Sequence, residues 1–246
     1  MIRRPPRSTL DRSSAASDVY KRQACGSDSK SNQHTISLET DPASIMNQAV
    51  AQLLALRSAS FSLNHLEGNT MLVPGVLMTK VYGEVSIPDR FNVTVEAEAE
   101  FLKSYLEINI ITIEDSAYMT DILNGSWSQV SPERLPFNLS NLGQTLAAIV
   151  EAVEDTKILG QERLGNVETL HINGQIASED LSGLVPGSGK GFPVELELWL
   201  DESHGLLQQV LIHGRVVPTD DKNTVRELRL KDINVPVVIE PPNEVG

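Results

Sequence analysis

The first organised pattern along the chain is helical. In DPASIMNQAVAQLLAL (Asp41 to Leu56), Ile45, Ala49, Leu53 and Leu56 fall on one stripe, with Met46, Val50 and Leu54 beside it. Asp41 is placed to cap the first turn, and Pro42 suits an opening position where no N–H is needed. The apolar face is broad, so this helix must be covered by another element.

The period then changes to two. SASFSLNHLEG runs to Gly68, and MLVPGVLMTKVYGEVSIPDRF is interrupted at Pro74-Gly75 and Pro88-Asp89, where turns are predicted. In NVTVEAEAEFL, Val93, Val95, Ala97, Ala99 and Phe101 face one way, and Thr94, Glu96, Glu98 and Glu100 the other. SYLEINIITIEDSAYMTD is apolar on both faces, which predicts a strand covered on both. Asn124-Gly125 predicts a hairpin turn into GSWSQV with Trp127. LSNLGQTLAAIVEAVED holds Leu142, Leu146, Ile149 and Val153 at helical spacing, with Asn138 or Ser140 placed to cap it. Strands resume as NVETLHINGQI, PVELELWLDE, LLQQVLIHGRVV and VRELRLKDINVPV. Antiparallel hairpins explain this spacing, because parallel crossovers would need intervening helices.

The predicted class is α+β: a strongly curved antiparallel β half-barrel, about seven or eight strands wide, with helices packed on its concave face around an apolar cavity. Residues 37–246 form its single domain. The chain is 40% hydrophobic and just 4% aromatic, so the face to be covered is aliphatic, a reasonable place for a ligand-sized hollow. An ordinarily packed core would give the same pattern and, on the residues alone, is the plainer outcome.

The N-terminal stretch shifts the charge balance. Residues 1–23, MIRRPPRSTLDRSSAASDVYKRQ, show no strand alternation or helical stripe and resemble translated sequencing-adapter readthrough, the alternative being a disordered basic arm; neither is a core element. They hold six of the 20 Lys and Arg and two of the 33 Asp and Glu, so the remainder carries near −17. Such a chain repels nucleic acid, and no basic cluster outside that segment offers a phosphate footprint. Membrane attachment must therefore use something other than charge.

Cys25 supplies it. ACGS matches the end of a bacterial lipobox, with small Ala24 before the thiol, and residues 24–36 continue as a polar, Ser-containing tether. Acylation there would anchor the chain at about 0.8 kcal/mol per buried methylene. As the sole cysteine it forms no internal disulfide and precludes thiolate zinc sites.

Candidate chemistry is sparse. His34, His65, His171, His204 and His213 show no metal-ligand spacing, and there is no HExxH or GxSxG. His171 and His213 sit within predicted strands, where a hydrogen-bonded structural role is expected. GLVPGSGKG fails as a phosphate loop, since Leu184 and Gly191 stand where Gly and Ser/Thr are needed. Its glycines, Gly183, Gly187, Gly189 and Gly191, suit a mobile loop gating a pocket mouth. Asp115, Asp121 and Asp201 lie at strand ends, as turn formers. The residues imply no catalytic site, no cofactor and no metal.

VYGEVSIPDRFNV, IEDSAYMTDILNGSWSQV, LGQERLGNVETLHINGQI, LELWLDE and the terminal LKDINVPVVIEPP together resemble the LppX/LprAFG family of bacterial lipoproteins, over about Thr40 to Pro241. The resemblance implies a half-barrel enclosing an apolar cavity, an architecture shared with the LolA and LolB carriers. It implies a non-enzymatic lipoprotein on the outer face of the cell membrane, anchored through Cys25. Such a protein binds acyl chains of a lipid or glycolipid and carries them across the envelope, with an envelope transporter as a further partner. On that footing Leu53, Val95, Phe101, Ile108, Leu146, Ile149, Leu198 and Ile212 are expected to line the cavity. A non-enzymatic interaction or scaffold lipoprotein with a filled core is the alternative, and an envelope hydrolase a third for which no site can be assembled.

Overall fold

A computed structural model describes residues 41–245, apart from residues 102, 123 and 136. Residues 1–23, the tether at 24–36 and Cys25 lie outside the described residues.

Helix α1 spans Pro42–Leu54; Asp41 caps it by accepting from the Ala43 N–H at 3.4 Å. Its predicted stripe of Ile45, Ala49 and Leu53 is buried. Twelve strands come after it, interrupted by one more α-helix: β1 Ser58–Glu67, β2 Thr70–Val73, β3 Val76–Ser86, β4 Arg90–Ala99, β5 Ser104–Ile113, β6 Ser116–Thr120, β7 Trp127–Val130, α2 Leu142–Glu151, β8 Glu154–Leu164, β9 Val167–Ala177, β10 Pro193–Asp201, β11 Leu207–His213 and β12 Val225–Lys231.

All the strands join one sheet, ordered β7-β6-β5-β4-β3-β1-β12-β11-β10-β9-β8, with β2 paired to β3 off that path. Every pairing is antiparallel. The topology is two meanders. One runs outward from β1 to β7; the other starts at the far edge with β8 and returns to β12. They meet where β12 pairs with β1, Leu228 opposite Leu63 and Lys231 opposite Ser60. The edges β7 and β8 are not paired to each other, so the sheet is open.

Three expectations are corrected. The sheet has twelve strands rather than seven or eight, because β2 and β6 are only four or five residues long, too short to show a period, and β8 shows no apolar alternation. The second helix stops at Glu151 and starts after Asn141, not Asn138 or Ser140; Asn138 instead accepts from the Ser140 N–H at 2.9 Å in a local turn. Beyond that helix the chain enters β8, largely exposed and interrupted by two register shifts against β9. An edge strand of this kind carries no apolar alternation for a sequence to display.

One face of the sheet and both helices share a single apolar cluster, from Ile45 and Leu53 on α1 and Leu142 and Leu146 on α2 to Phe91, Leu196, Ile212 and Leu228 on the strands. The helices meet closely at Gly143, where a Cβ would come within 2.5 Å of the Leu53 carbonyl oxygen. Only glycine permits that approach.

Candidate functional site

The residues expected to line a cavity mostly converge. Leu53, Val95, Leu146, Ile149, Leu198 and Ile212, from α1, α2, β4, β10 and β11, lie in the shared cluster, and Ile108 packs half-buried against it. Each of the six is 4% exposed or less. Phe101 is a plain correction. β4 ends at Ala99, and Phe101 stands 95% exposed in the following turn instead of continuing the apolar face.

The glycine-rich connection between β9 and β10 is pinned rather than loose. Ser178–Leu181 forms a short 3-10 turn, and Leu181 and Val185 are fully buried. Ser178 Oγ donates to the Gly189 carbonyl at 3.1 Å, and the Gly189 N–H donates to Val216 O at 2.7 Å. Glu179 accepts from the Gly191 N–H at 2.8 Å, and that bond is the chief reason its carboxyl sits below the ordinary range. Gly187 and Gly191 hold φ of +80° and +75°, which glycine alone adopts readily. The four glycines do not form one feature. Gly183 alone touches α2, at Thr145, where an added Cβ would meet the side chain at 2.7 Å. Beside it, Phe137, Asn141, Thr145, Gly183 and Pro186 line a cleft of about 320 Å³.

A buried polar network at one end of the apolar face was not foreseen. Arg226 on β12 lies in phase with Leu228 and Leu230 and is fully buried. Its Nη2 donates to Asp220 Oδ2, also fully buried, and to Thr70 Oγ1 at 2.6 Å. Asp220 Oδ2 further accepts from the Val216 and Val217 N–H groups at 3.0 and 2.8 Å. His65 completes the chain. Its Nδ1 lies 3.1 Å from the Thr79 carbonyl and must donate there, which leaves Nε2, 2.9 Å from Thr70 Oγ1, as the acceptor of that hydroxyl. Burial pushes the His65 pKa below its ordinary value, opposed by the Thr79 bond and assisted by the Arg226 charge. The signal in the sequence was an arginine standing in the apolar phase of VRELRL.

The folded state therefore favours neutral His65, and the unfolded chain, with a histidine pKa near 6.5, binds the proton more readily. Stability held above about pH 6.5 is lost as the pH falls below it. His65→Gln should flatten this: the urea midpoint of the native chain should fall between pH 7.5 and 5.5 by more than that of the variant. Equal falls would show that His65 does not contribute.

On the opposite face, four neighbouring strands carry a transverse row of Glu162, His171, Glu197 and His213. His171 Nδ1 and Nε2 lie 2.8 and 2.7 Å from Glu162 and Glu197, and His213 Nε2 lies 3.0 Å from the other Glu197 oxygen without hydrogen-bond alignment. Trp199 stacks on His171 at 4.2 Å and donates to Glu162 at 2.9 Å. That indole N–H is the first cause holding the Glu162 carboxyl below its ordinary range; burial opposes it and His171 adds to it. This is the structural role expected of His171. Asp201 Oδ1 accepts from the Ser203 and His204 N–H groups at 2.8 and 2.7 Å, a turn former as expected. Among the described residues, no group of three or more His, Cys, Asp or Glu is arranged to hold a metal ion, and no helix is long and apolar enough to cross a membrane.

No curated protein sequence matches the chain. Among solved structures, LprF from Mycobacterium bovis is similar with a TM-score of 0.64 at 17% identity, covering 82% of this chain and 96% of that one. The lipoprotein LppX from Mycobacterium tuberculosis is similar at 0.55 and 18%, covering 82% and 100%. These likenesses speak for the fold. A LolA superfamily protein from Nitrosomonas europaea, at 10% identity over 81% of this chain and 95% of that one, reaches only 0.27, too loose to carry an argument. The model of the LppX_LprAFG lipoprotein family matches residues 41–239, most of the length and every described element; the chain belongs to that family.

Proposed function

We propose that this protein is a membrane-anchored lipoprotein that takes the acyl chains of a lipid or glycolipid between its helices and its sheet and carries them across the cell envelope. The observation that carries this reading is a mismatch of areas. The eleven strands on the sheet's path, at about 4.8 Å each, span roughly 48 Å, and the two helices, each about 10 Å across, cover less than half of that. The aliphatic inner face must curl into a half-barrel around them or take another apolar group.

The helices pack tightly on each other through Gly143 and Leu53, so they can lift as a unit. An acyl chain entering beneath them exchanges helix–sheet contacts for chain–sheet contacts, at about 0.8 kcal/mol per methylene buried. A bilayer offers the same energy back, which makes release at a membrane unforced. The contact of Gly183 with Thr145 is the latch that holds α2 down, and Cys25, acylated, holds the domain at the membrane's outer face. No catalytic group or cofactor is required, and an envelope transporter would deliver or receive the cargo.

The packed interior favours a second reading, in which the core stays filled and the domain is an envelope interaction module. Native mass spectrometry of the chain, purified without detergent and then incubated with vesicles of phospholipid or of glycolipid, separates the two. Carriage predicts an added mass equal to one lipid. A bare mass under every condition, with a protein partner retained on pull-down, would establish the interaction module instead.

A further inference from the structure

We infer that the face of the sheet turned away from the helices carries a second binding site, a groove along β1 that takes a neutral oligosaccharide. The groove is a product of register. Ser60 and Ser62 on β1 point outward and are short. Opposite them on β12 stand Lys231 and Arg229, and opposite them on β3 stand Glu84 and Tyr82. Long side chains on both neighbours of a strand bearing serines leave a channel above it, floored by hydroxyls, of about 410 Å³. Asn92 and Thr94, opposite Glu84 and Tyr82 on β4, extend the second wall.

The chemistry of the walls selects the ligand. A polyanion is disfavoured, because Glu84 faces the groove and Glu227 already accepts from Arg229 Nη2 at 2.8 Å. A cation is disfavoured by Arg229 and Lys231. An added peptide strand finds no edge, since β1 is paired on both sides. What remains is a group whose members both donate and accept without charge: sugar hydroxyls. Glu84 accepts, Lys231 and Arg229 donate, the Asn92 amide and the Ser62 hydroxyl do both, and Ser60 Oγ, which donates to Asp232 at 2.9 Å, accepts. The Tyr82 ring, steadied by Lys80 Nζ 4.5 Å from its centroid, offers the apolar surface against which the C–H face of a sugar packs. Same-face residues along a strand recur at about 6.6 Å, so the floor from Ser60 to Ser62 suits successive rings of a linear chain. This site lies on the face opposite the interior proposed for acyl chains and does not depend on it.

The test is calorimetry and saturation-transfer NMR on the full chain with mannotetraose, cellotetraose, maltotetraose and tetra-N-acetylchitotetraose. At least one should bind with a Kd of about 1 mM or tighter. Glu84→Gln and Tyr82→Ala should each weaken it about tenfold, the loss of one charged hydrogen bond or one ring contact. Ser62→Trp, an outward-facing change that fills the floor, should abolish it while leaving the thermal midpoint in place. Raising NaCl to about 0.5 M should change the affinity less than about twofold, because no ion pair is made. No binding by any of the four, binding that survives Ser62→Trp, or capture only of a sulfated analogue in a salt-sensitive way would each overturn the proposal.

Discussion

Asp220→Ala should cost the fold about 3–5 kcal/mol, the loss expected when one member of a buried ion pair is removed. Asp220 and Arg226 are both fully buried, so truncating the acid strands a guanidinium in an apolar interior. It also removes the acceptor of the Val216 and Val217 N–H groups, which hold the connection from β11 to β12. Arg226→Met, alone, should be costly for the mirror reason. The double variant Asp220→Ala with Arg226→Met should recover much of the loss, because no charge is left unpaired. Urea denaturation of the four proteins gives the coupling directly. A single-variant cost under about 1 kcal/mol would mean that the pair is solvated, as surface pairs are.

Leu146→Ala should cost about 2–5 kcal/mol, the range for deleting a buried leucine side chain that its surroundings cannot replace. Leu146 is fully buried on α2, in the apolar cluster that both helices share with the sheet. The carrier reading adds a condition. If acyl chains occupy the space under the helices, they fill the void that alanine leaves, and the cost should shrink in protein loaded with lipid. Denaturation midpoints measured with and without lipid vesicles test both statements. An identical cost in both conditions would show that no chain reaches Leu146, and would count against carriage without touching the packing argument.

Much of the architecture was legible from period alone. Val194, Leu196, Leu198 and Leu200 alternate in sequence and are buried together on β10; Ile45, Ala49 and Leu53 repeat at helical spacing and are buried together on α1. Turns at Pro74-Gly75, Pro88-Asp89 and Asn124-Gly125 fall between strands as expected. The failures have a common cause. β8 lies at an edge and meets little core, so it lacks the alternation that burial imposes. Phe101 continues an apolar phase past the point where the backbone turns, so its ring leaves the face its spacing implied.

Periodicity reports which side of a segment avoids water, because that choice is made residue by residue along a repeating backbone. Hence the chain's own pattern was enough for the antiparallel class and the two helices, and together with the family resemblance for six of the eight residues expected to meet inside. It could not say whether those six enclose a hollow or fill one, since that depends on how volumes from five separate elements interlock. Nor could it join Arg226 to Thr70, 156 residues away, or set Lys231 beside Ser60 to wall a groove. Those contacts arise only when the second meander returns to β1, and closure of that kind is a property of strand order in space, which no local repeat encodes.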